Sequence, residues 1–231
     1  MTGDDLEIRN RVLLSLRPAA QEFLSSRLIT RQTFAGQVLY EDGAPFTHAV
    51  FPHSGVLSLM AHMEDGRSVE KTSIGLEGFL GFVLIMGGSK AISTSTIQVP
   101  GYASWLALSD LHEALAEFEC VRQVMLRYAA SLITQLMESV ACNSLHSAEQ
   151  RVSRWLLQAH DRVAVDRFRL TQQALSEALG LRRATVSEVW SELQKAGILN
   201  YSRGTVTVAD RSALEERACE CYARIRRAWL Y

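Results

Sequence analysis

The chain has 231 residues, 48% of them hydrophobic and 21% charged, with 24 Lys+Arg against 25 Asp+Glu and a formal net charge of −1. Such a length accommodates two globular domains with ample cores, and the composition is ordinary for a folded protein. The near-zero charge argues against a nucleic-acid binder until the chain is divided: Ser147 to Tyr231 carries 14 Lys+Arg against 10 Asp+Glu, while the remainder carries 10 against 15.

Met1 to Asp5 is acidic and has no apolar signal-peptide core. The most apolar run, Phe79 to Gly88, is about ten residues and too short to span a bilayer. A cytoplasmic chain without membrane contact is expected. Cys120, Cys142, Cys219 and Cys221 show no C-x-x-C pairing, and Cys219-Glu220-Cys221 is tighter than a usual zinc knuckle. Free thiols are expected, with no metal site and no cofactor.

Leu6 to Leu28 reads as two short amphipathic helices, one carrying Leu13, Leu14 and Leu16, the other Phe23, Leu24 and Leu28. From Thr33 the period becomes that of strands punctuated by glycine: Gln37–Tyr40, a turn at Asp42-Gly43, Ala49–Phe51, a turn at Gly55, and Val56–Met60. Asp65-Gly66 is a hairpin turn returning into Ser68–Lys71. Gly75, Gly78 and Gly81 break the next run, and Ile92–Gln98 and Tyr102–Leu108 are two further β-rich segments. Short strands at this spacing predict a small β-roll or barrel.

Ser109-Asp110 then caps a helix through Leu111 and Leu115, followed by a long helix from about Val121 to Leu145. Ala129, Leu132, Ile133, Leu136 and Val140 form one apolar stripe on it, and Val124, Met125, Leu126 and Met137 a second face. A two-faced helix between domains suggests a dimer seam, with a plain docking helix as the alternative. A hinge near Asn143–Ser147 gives three parts: a β-roll (1–109), a dimerisation helix region (110–146) and a C-terminal domain (147–231) that opens with a helix over Glu149–His160.

Within the C-terminal part, Thr171 is a good N-cap, Ala174, Leu175, Ala178 and Leu179 follow at helical spacing, and Gly180 stands where a helix end favours a left-handed residue. Val186, Val189, Trp190 and Leu193 make the buried stripe of a second helix whose other positions are polar. Two short helices around a glycine turn form a helix-turn-helix. Ile198–Tyr201, the turn Ser202-Arg203-Gly204 and the β-branched Thr205–Val208 add a hairpin, which makes the unit a winged helix. A last helix starts at Asp210-Arg211-Ser212 and runs to Trp229.

The order of parts resembles the Crp/Fnr superfamily of bacterial transcription regulators over nearly the whole chain. The match is most specific in Leu170–Val208, which follows the family pattern L-T-x-x-x-L-x-x-x-L-G-L-x-R-x-T-V-S, then L-x-x-x-G-I-L and the wing. It is looser in the roll, where Gly43, Gly55, Gly66 and Gly81 fall at family turn positions. The resemblance implies an α+β chain: a cyclic-nucleotide-binding-like β-roll (jelly roll), a long dimerisation helix, and a winged helix-turn-helix. It implies a homodimer on a palindromic operator, with double-stranded DNA, a second copy of the chain and RNA polymerase as partners, and no catalytic residues.

Carried over by position, Arg183 falls where relatives place an arginine facing guanine, and a guanidinium can bond O6 and N7 together. Ala184 stands where several relatives have glutamate, and Glu188 where many have arginine, which departs from a family-like half-site; Glu188 could instead accept from a cytosine amino group. Ser187 and Thr185 are further polar candidates on the same helix, with Arg182 at its start. Thr171, Gln172, Gln173 and the wing-tip Arg203 are phosphate-contact candidates.

Three sensor chemistries occur in the resembled family. The cysteines lie on the long and last helices, and none precedes the roll, against an iron–sulfur cluster. A haem would need His48, His53 or His62, and a cupin-like metalloenzyme would need them clustered, though they lack H-x-H spacing. A metal- or haem-dependent redox sensor and, behind it, that enzyme remain the alternative readings. The nucleotide cassette of the family begins G-E and ends near R-S-A. Here Gly81 is followed by Phe82, Lys90 is adjacent to the arginine position, and Ala91 or Ile92 occupies it. The expectation is a roll that does not bind cyclic AMP in the family's usual way.

Overall fold

The structure is a computed structural model that describes residues 7–163 and 165–229, so the acidic Met1–Asp5 stretch and Leu6 lie outside the described residues. Asn10 opens the fold: its side chain accepts from the Leu13 N–H to cap α1 (Arg11–Leu14) and donates to the carbonyls of Pro52 and Gly78. One short polar side chain thus caps a helix and ties it to the roll. α2 (Pro18–Ser25) begins on a proline, where no helical donor is lost. Leu13, Leu16 and Leu24 are buried as their spacing predicts, but Leu14 is exposed.

β1 (Ile29–Thr33), β2 (Val38–Tyr40), β3 (His48–His62), β4 (Ser68–Ile74) and β5 (Thr94–Ala107) form one antiparallel sheet in the order β1-β5-β3-β4, with β2 also paired to β5. β1 was not anticipated from the sequence. β3 and β5 each run unbroken where two segments were expected, and Gly55 is a bulge rather than a turn. A Cβ on Gly55 would lie 2.5 Å from the Val99 carbonyl oxygen, and one on Gly101 2.3 Å from that of Ser54. The two backbones therefore cross more closely than any side chain permits, and their register slips between Pro52 and Leu57. The apolar run after Ile74 is core: Phe79 lies between Phe51 and Tyr128 at ring-centroid distances of 5.4 and 5.3 Å, ahead of a single 3₁₀ turn over Phe82–Met86.

α3 (Leu108–Glu117) starts before Ser109, so Ser109 and Asp110 sit in its first turn, where the carboxylate still faces the positive end of the helix dipole. α4 (Glu119–Leu145) is the long helix. Its faces are not those drawn from the sequence. Val121, Val124, Met125, Tyr128, Ala129 and Leu132 are buried in the protomer's own core, and Leu136 packs partly against it. Ala129 and Leu132 are therefore corrected from seam to core. Ile133 and Val140 are exposed, together with Leu126 and Met137.

The C-terminal part consists of α5 (Ala148–Val163), β6 (Arg167–Arg169), α6 (Gln172–Leu179), α7 (Arg183–Lys195), β7 (Leu199–Ser202), β8 (Thr205–Val208), α8 (Arg211–Arg217) and α9 (Cys221–Ala228). The wing is a three-stranded sheet in the order β6-β8-β7, its first strand unforeseen. The expected single last helix is two. Asp210 caps α8 through the Ala213 N–H, and Ala218 is extended at the break.

The C-terminal part packs on the roll. Val56 and Val99, from β3 and β5, belong to the same core as Trp155, Leu156, Leu175 and Trp190. Trp155 Nε1 donates to Glu70 at 3.3 Å, and Ser58 donates to the same carboxylate. Deeper in the seam, Arg162 from α5 donates to both oxygens of Glu77, at 2.6 and 3.2 Å, and to Ser73 Oγ, the Ser73 carbonyl and Gln135. Its guanidinium lies 4.6 Å from the centroid of the Trp229 ring, and Trp229 Nε1 donates to Gln135.

The Arg162 and Glu77 side chains are 1% and 2% exposed, so removing one partner strands a charge out of water. Arg162→Met is expected to cost about 3–5 kcal/mol in urea denaturation, and the pair Arg162→Met with Glu77→Leu to recover most of it. A single-variant loss below about 1 kcal/mol would show that water reaches Glu77.

Candidate nucleic-acid interface

Thr171 Oγ1 accepts from the Ala174 N–H at 3.1 Å and so starts α6. Gly180 ends it with φ 61, the left-handed conformation that a glycine takes without Cβ strain. Two residues later Arg182 is the extended N-cap residue of α7, and Arg183 is that helix's first residue. Val186, Val189, Trp190 and Leu193 are buried, while Arg182, Arg183, Ala184 and Glu188 are exposed, so the helix presents its polar face outward. At the wing tip, Arg203 and Gly204 have φ 51 and 77, the pair of positive values that a type I′ two-residue hairpin needs. Arg203 is thereby held exposed at the end of a rigid ribbon.

The remaining candidates are less free than Arg183. Ser187 donates to Gln172 Oε1 at 2.7 Å, tying α7 to α6, which leaves the Gln172 amide N–H groups available. Gln173 Nε2 donates to Glu177 at 2.6 Å, and Thr185 is half-buried. Arg167 and Arg169 on β6 are exposed beside the wing strand β8. A three-residue strand has too few positions for periodicity to reveal it. A cleft of about 910 Å³ separates the β3–β4 hairpin, at Met63, Arg67 and Val69, from Arg151, Arg182 and Arg183. The start of the polar helix therefore lies beside the roll's hairpin.

The sensor candidates are scattered. His48, His53 and His62 all lie on β3, and at ~3.3 Å per residue they are roughly 16 and 30 Å apart, too far to share a metal. His53 is buried and both its ring nitrogens are engaged, Nδ1 by the N–H groups of Arg9 and Asn10 and Nε2 by Ser104 Oγ at 2.6 Å. Burial, then the nearby Arg9 charge, holds its pKa down to about 4. A neutral imidazole so used has no lone pair for a haem iron. Gly81 and Ala91 are buried, Phe82 is half-buried, and Lys90 and Ile92 are exposed. The Ala91 N–H donates to the Ala44 carbonyl at 2.8 Å.

The sequence profile of the Crp-like helix-turn-helix domain matches residues 150–217, which span α5 to α8. An anaerobic regulatory protein of Pasteurella multocida is 27% identical over 194 residues, covering 78% of this chain and 68% of its own length. The chain is similar to the transcription regulators of the Crp/Fnr superfamily, and its C-terminal part is a Crp-like helix-turn-helix domain. It is a transcription regulator with a helix-turn-helix DNA-binding domain, not an enzyme. Solved structures of this superfamily share its fold. FixK2 from Bradyrhizobium japonicum superposes with a TM-score of 0.70 at 17% identity, covering 83% of this chain and 98% of that one. The c-di-GMP responsive global regulator CLP of Xanthomonas campestris gives 0.66 at 14% identity, covering 84% and 100%. Among the described residues, no helix is long and apolar enough to cross a membrane.

Proposed function

We propose that this Crp/Fnr-like regulator acts as a homodimer on a two-fold symmetric operator, and that Arg183 reads a guanine in each half-site. The observation that carries this reading is the exposed Arg183 at the start of α7, on the same domain as the wing-tip Arg203. Glu188 is the second base-facing candidate. Arg182, the Gln172 amide, Thr171, Gln173 and Arg203, joined by Arg167 and Arg169, are candidates for phosphate contact, which positions without specifying. Thr185 and Ser187 support the helix more than they reach outward.

Arg183→Ala is expected to weaken the specific site by about 1–3 kcal/mol and to relax preference at one position per half-site, read by binding-site selection. Equal losses on specific and random DNA would reassign Arg183 to phosphate.

The seam of this dimer runs along the exposed side of α4. Leu126, Ala130, Ile133, Met137 and Val140 alternate in steps of four and three, which is coiled-coil spacing. Ile133→Asp or Met137→Asp is expected to give a folded monomer in sedimentation with much weaker operator binding. Leu132→Asp, facing the protomer's own core, is expected to destabilise the fold instead. A dimeric Ile133→Asp would place the seam elsewhere.

The roll does not take cyclic AMP by the family's usual cassette. Ala91 or Ile92 stands where an arginine would pair the phosphate, and Lys90 lacks the two-pronged geometry. Calorimetric titration with cyclic AMP and cyclic GMP is expected to show no micromolar binding, and c-di-GMP, after the Xanthomonas relative, is the third ligand to titrate. Micromolar cyclic AMP binding that tightens the DNA complex would overturn this reading.

A further inference from the structure

Three cysteines and a histidine from distant parts of the chain meet at the foot of α4. Cys142 and His146 are one helical turn apart and so share a face. Cys219 lies in the break between α8 and α9, and Cys221, beyond Glu220, is the first residue of α9. Cys142 Sγ lies 3.5 Å from Cys219 Sγ, and Cys221 Sγ lies 3.7 Å from His146 Nδ1. The four ligand atoms all fall within 4.8 Å of one another, and the three cysteines are buried. We propose that Cys142, His146, Cys219 and Cys221 form a closed tetrahedral site for a thiophilic divalent cation, zinc by preference.

The spacing fits that ion. With zinc–sulfur bonds of about 2.3 Å and zinc–nitrogen bonds of about 2.05 Å, a tetrahedron holds sulfurs about 3.8 Å apart and sulfur from nitrogen about 3.5 Å. An iron–sulfur cluster sets iron and inorganic sulfide between its ligands and needs them farther apart. The surroundings also fit. His146 Nε2, the nitrogen turned away from the cysteines, lies 3.3 Å from Glu220 Oε2, the carboxylate partner that orients a metal-bound imidazole. Arg154, 5% exposed, sits beside Cys142, and its Nε has no hydrogen-bond partner among the described residues. Three thiolates and one divalent cation carry a net single negative charge, which that guanidinium balances. Binding sends the three thiol protons to solvent, so affinity falls as pH falls. With all four positions filled by protein the ion is structural: it pins the α8–α9 break to α4.

The test uses the full chain, purified under reducing conditions without chelator. Elemental analysis is expected to find about one zinc per chain. Cobalt(II) added to the metal-stripped protein is expected to give thiolate-to-cobalt charge-transfer absorption and the intense d–d bands of tetrahedral cobalt. Cys221→Ser is expected to lose that signal and most of the zinc, while Cys120→Ser, outside the site, keeps both. Should Cys221→Ser not fold, the wild-type cobalt spectrum decides alone. A reduced, folded wild-type chain without these bands, or equal zinc in Cys221→Ser and wild type, would overturn the proposal.

Discussion

The buried guanidinium of Arg162 is the constraint on which the arrangement of the two parts depends. It leaves the C-terminal part on α5 and enters the roll, where Glu77 neutralises it and Ser73 accepts two further bonds. A charge taken this far from water is tolerated only when nearly every donor is satisfied, and the partners must then be held in one geometry. Gln135 and Trp229 complete the shell, so a single side chain fixes the loop after β4, the middle of α4 and the C-terminal helix together. The apolar contact of Val56 and Val99 with the C-terminal core adds area, but apolar contact is non-directional. The ion pair supplies the orientation.

That orientation places the polar helix. α6 packs on β4, and a Cβ on Gly180 would come within 3.3 Å of Val69 Cγ2. The helix-turn-helix is thus seated against the β3–β4 hairpin, with Arg151 Nη2 donating to the Leu179 carbonyl. Arg183 stands at the rim of the cleft between them. The hairpin therefore bears on α6 and its Gly180 turn, which lead directly into the start of α7, the end that meets base edges in this motif.

The helix-turn-helix was legible because each of its signals is local. A Thr171 cap, a Gly180 stop and four buried positions in α7 can be read from residues a few places apart. The roll was legible as strands but not as pairings. Gly55 reads as a turn in sequence because glycine serves turns and close approaches alike, and only the Val99 backbone opposite shows which. The faces of α4 were misassigned for a similar reason. An apolar helix position does not say whether its own protomer or a partner covers it; Leu132 and Ile133 are neighbours in sequence, yet one is buried in the core and the other exposed. The gathering of Cys142 with Cys219 and Cys221 was invisible to spacing, since it depends on an unforeseen break at Ala218 and on contact across more than 70 residues. The Arg162–Glu77 pair, 85 apart in sequence, was invisible likewise.

Among the described residues, three groups of contacts share α4: the roll core, the Arg162 shell and the cysteine cluster all touch it. One face of its first half packs on the roll, Gln135 in its middle meets Arg162 and Trp229, and Cys142 near its end meets the α8–α9 break. These contacts lie along one side, while Leu126, Ile133, Met137 and Val140 leave the other side apolar and bare. An α-helix transmits displacement along its axis with little loss, because its backbone bonds all run within the element. A shift of α4 against the roll would thus be felt at Trp229 and at the cysteine cluster before it reached α7. Coupling of this kind needs two discrete arrangements of the seam rather than a chain of contacts alone. The buried ion pair is the natural source of that discreteness, since a guanidinium with five satisfied bonds either keeps them or loses several together.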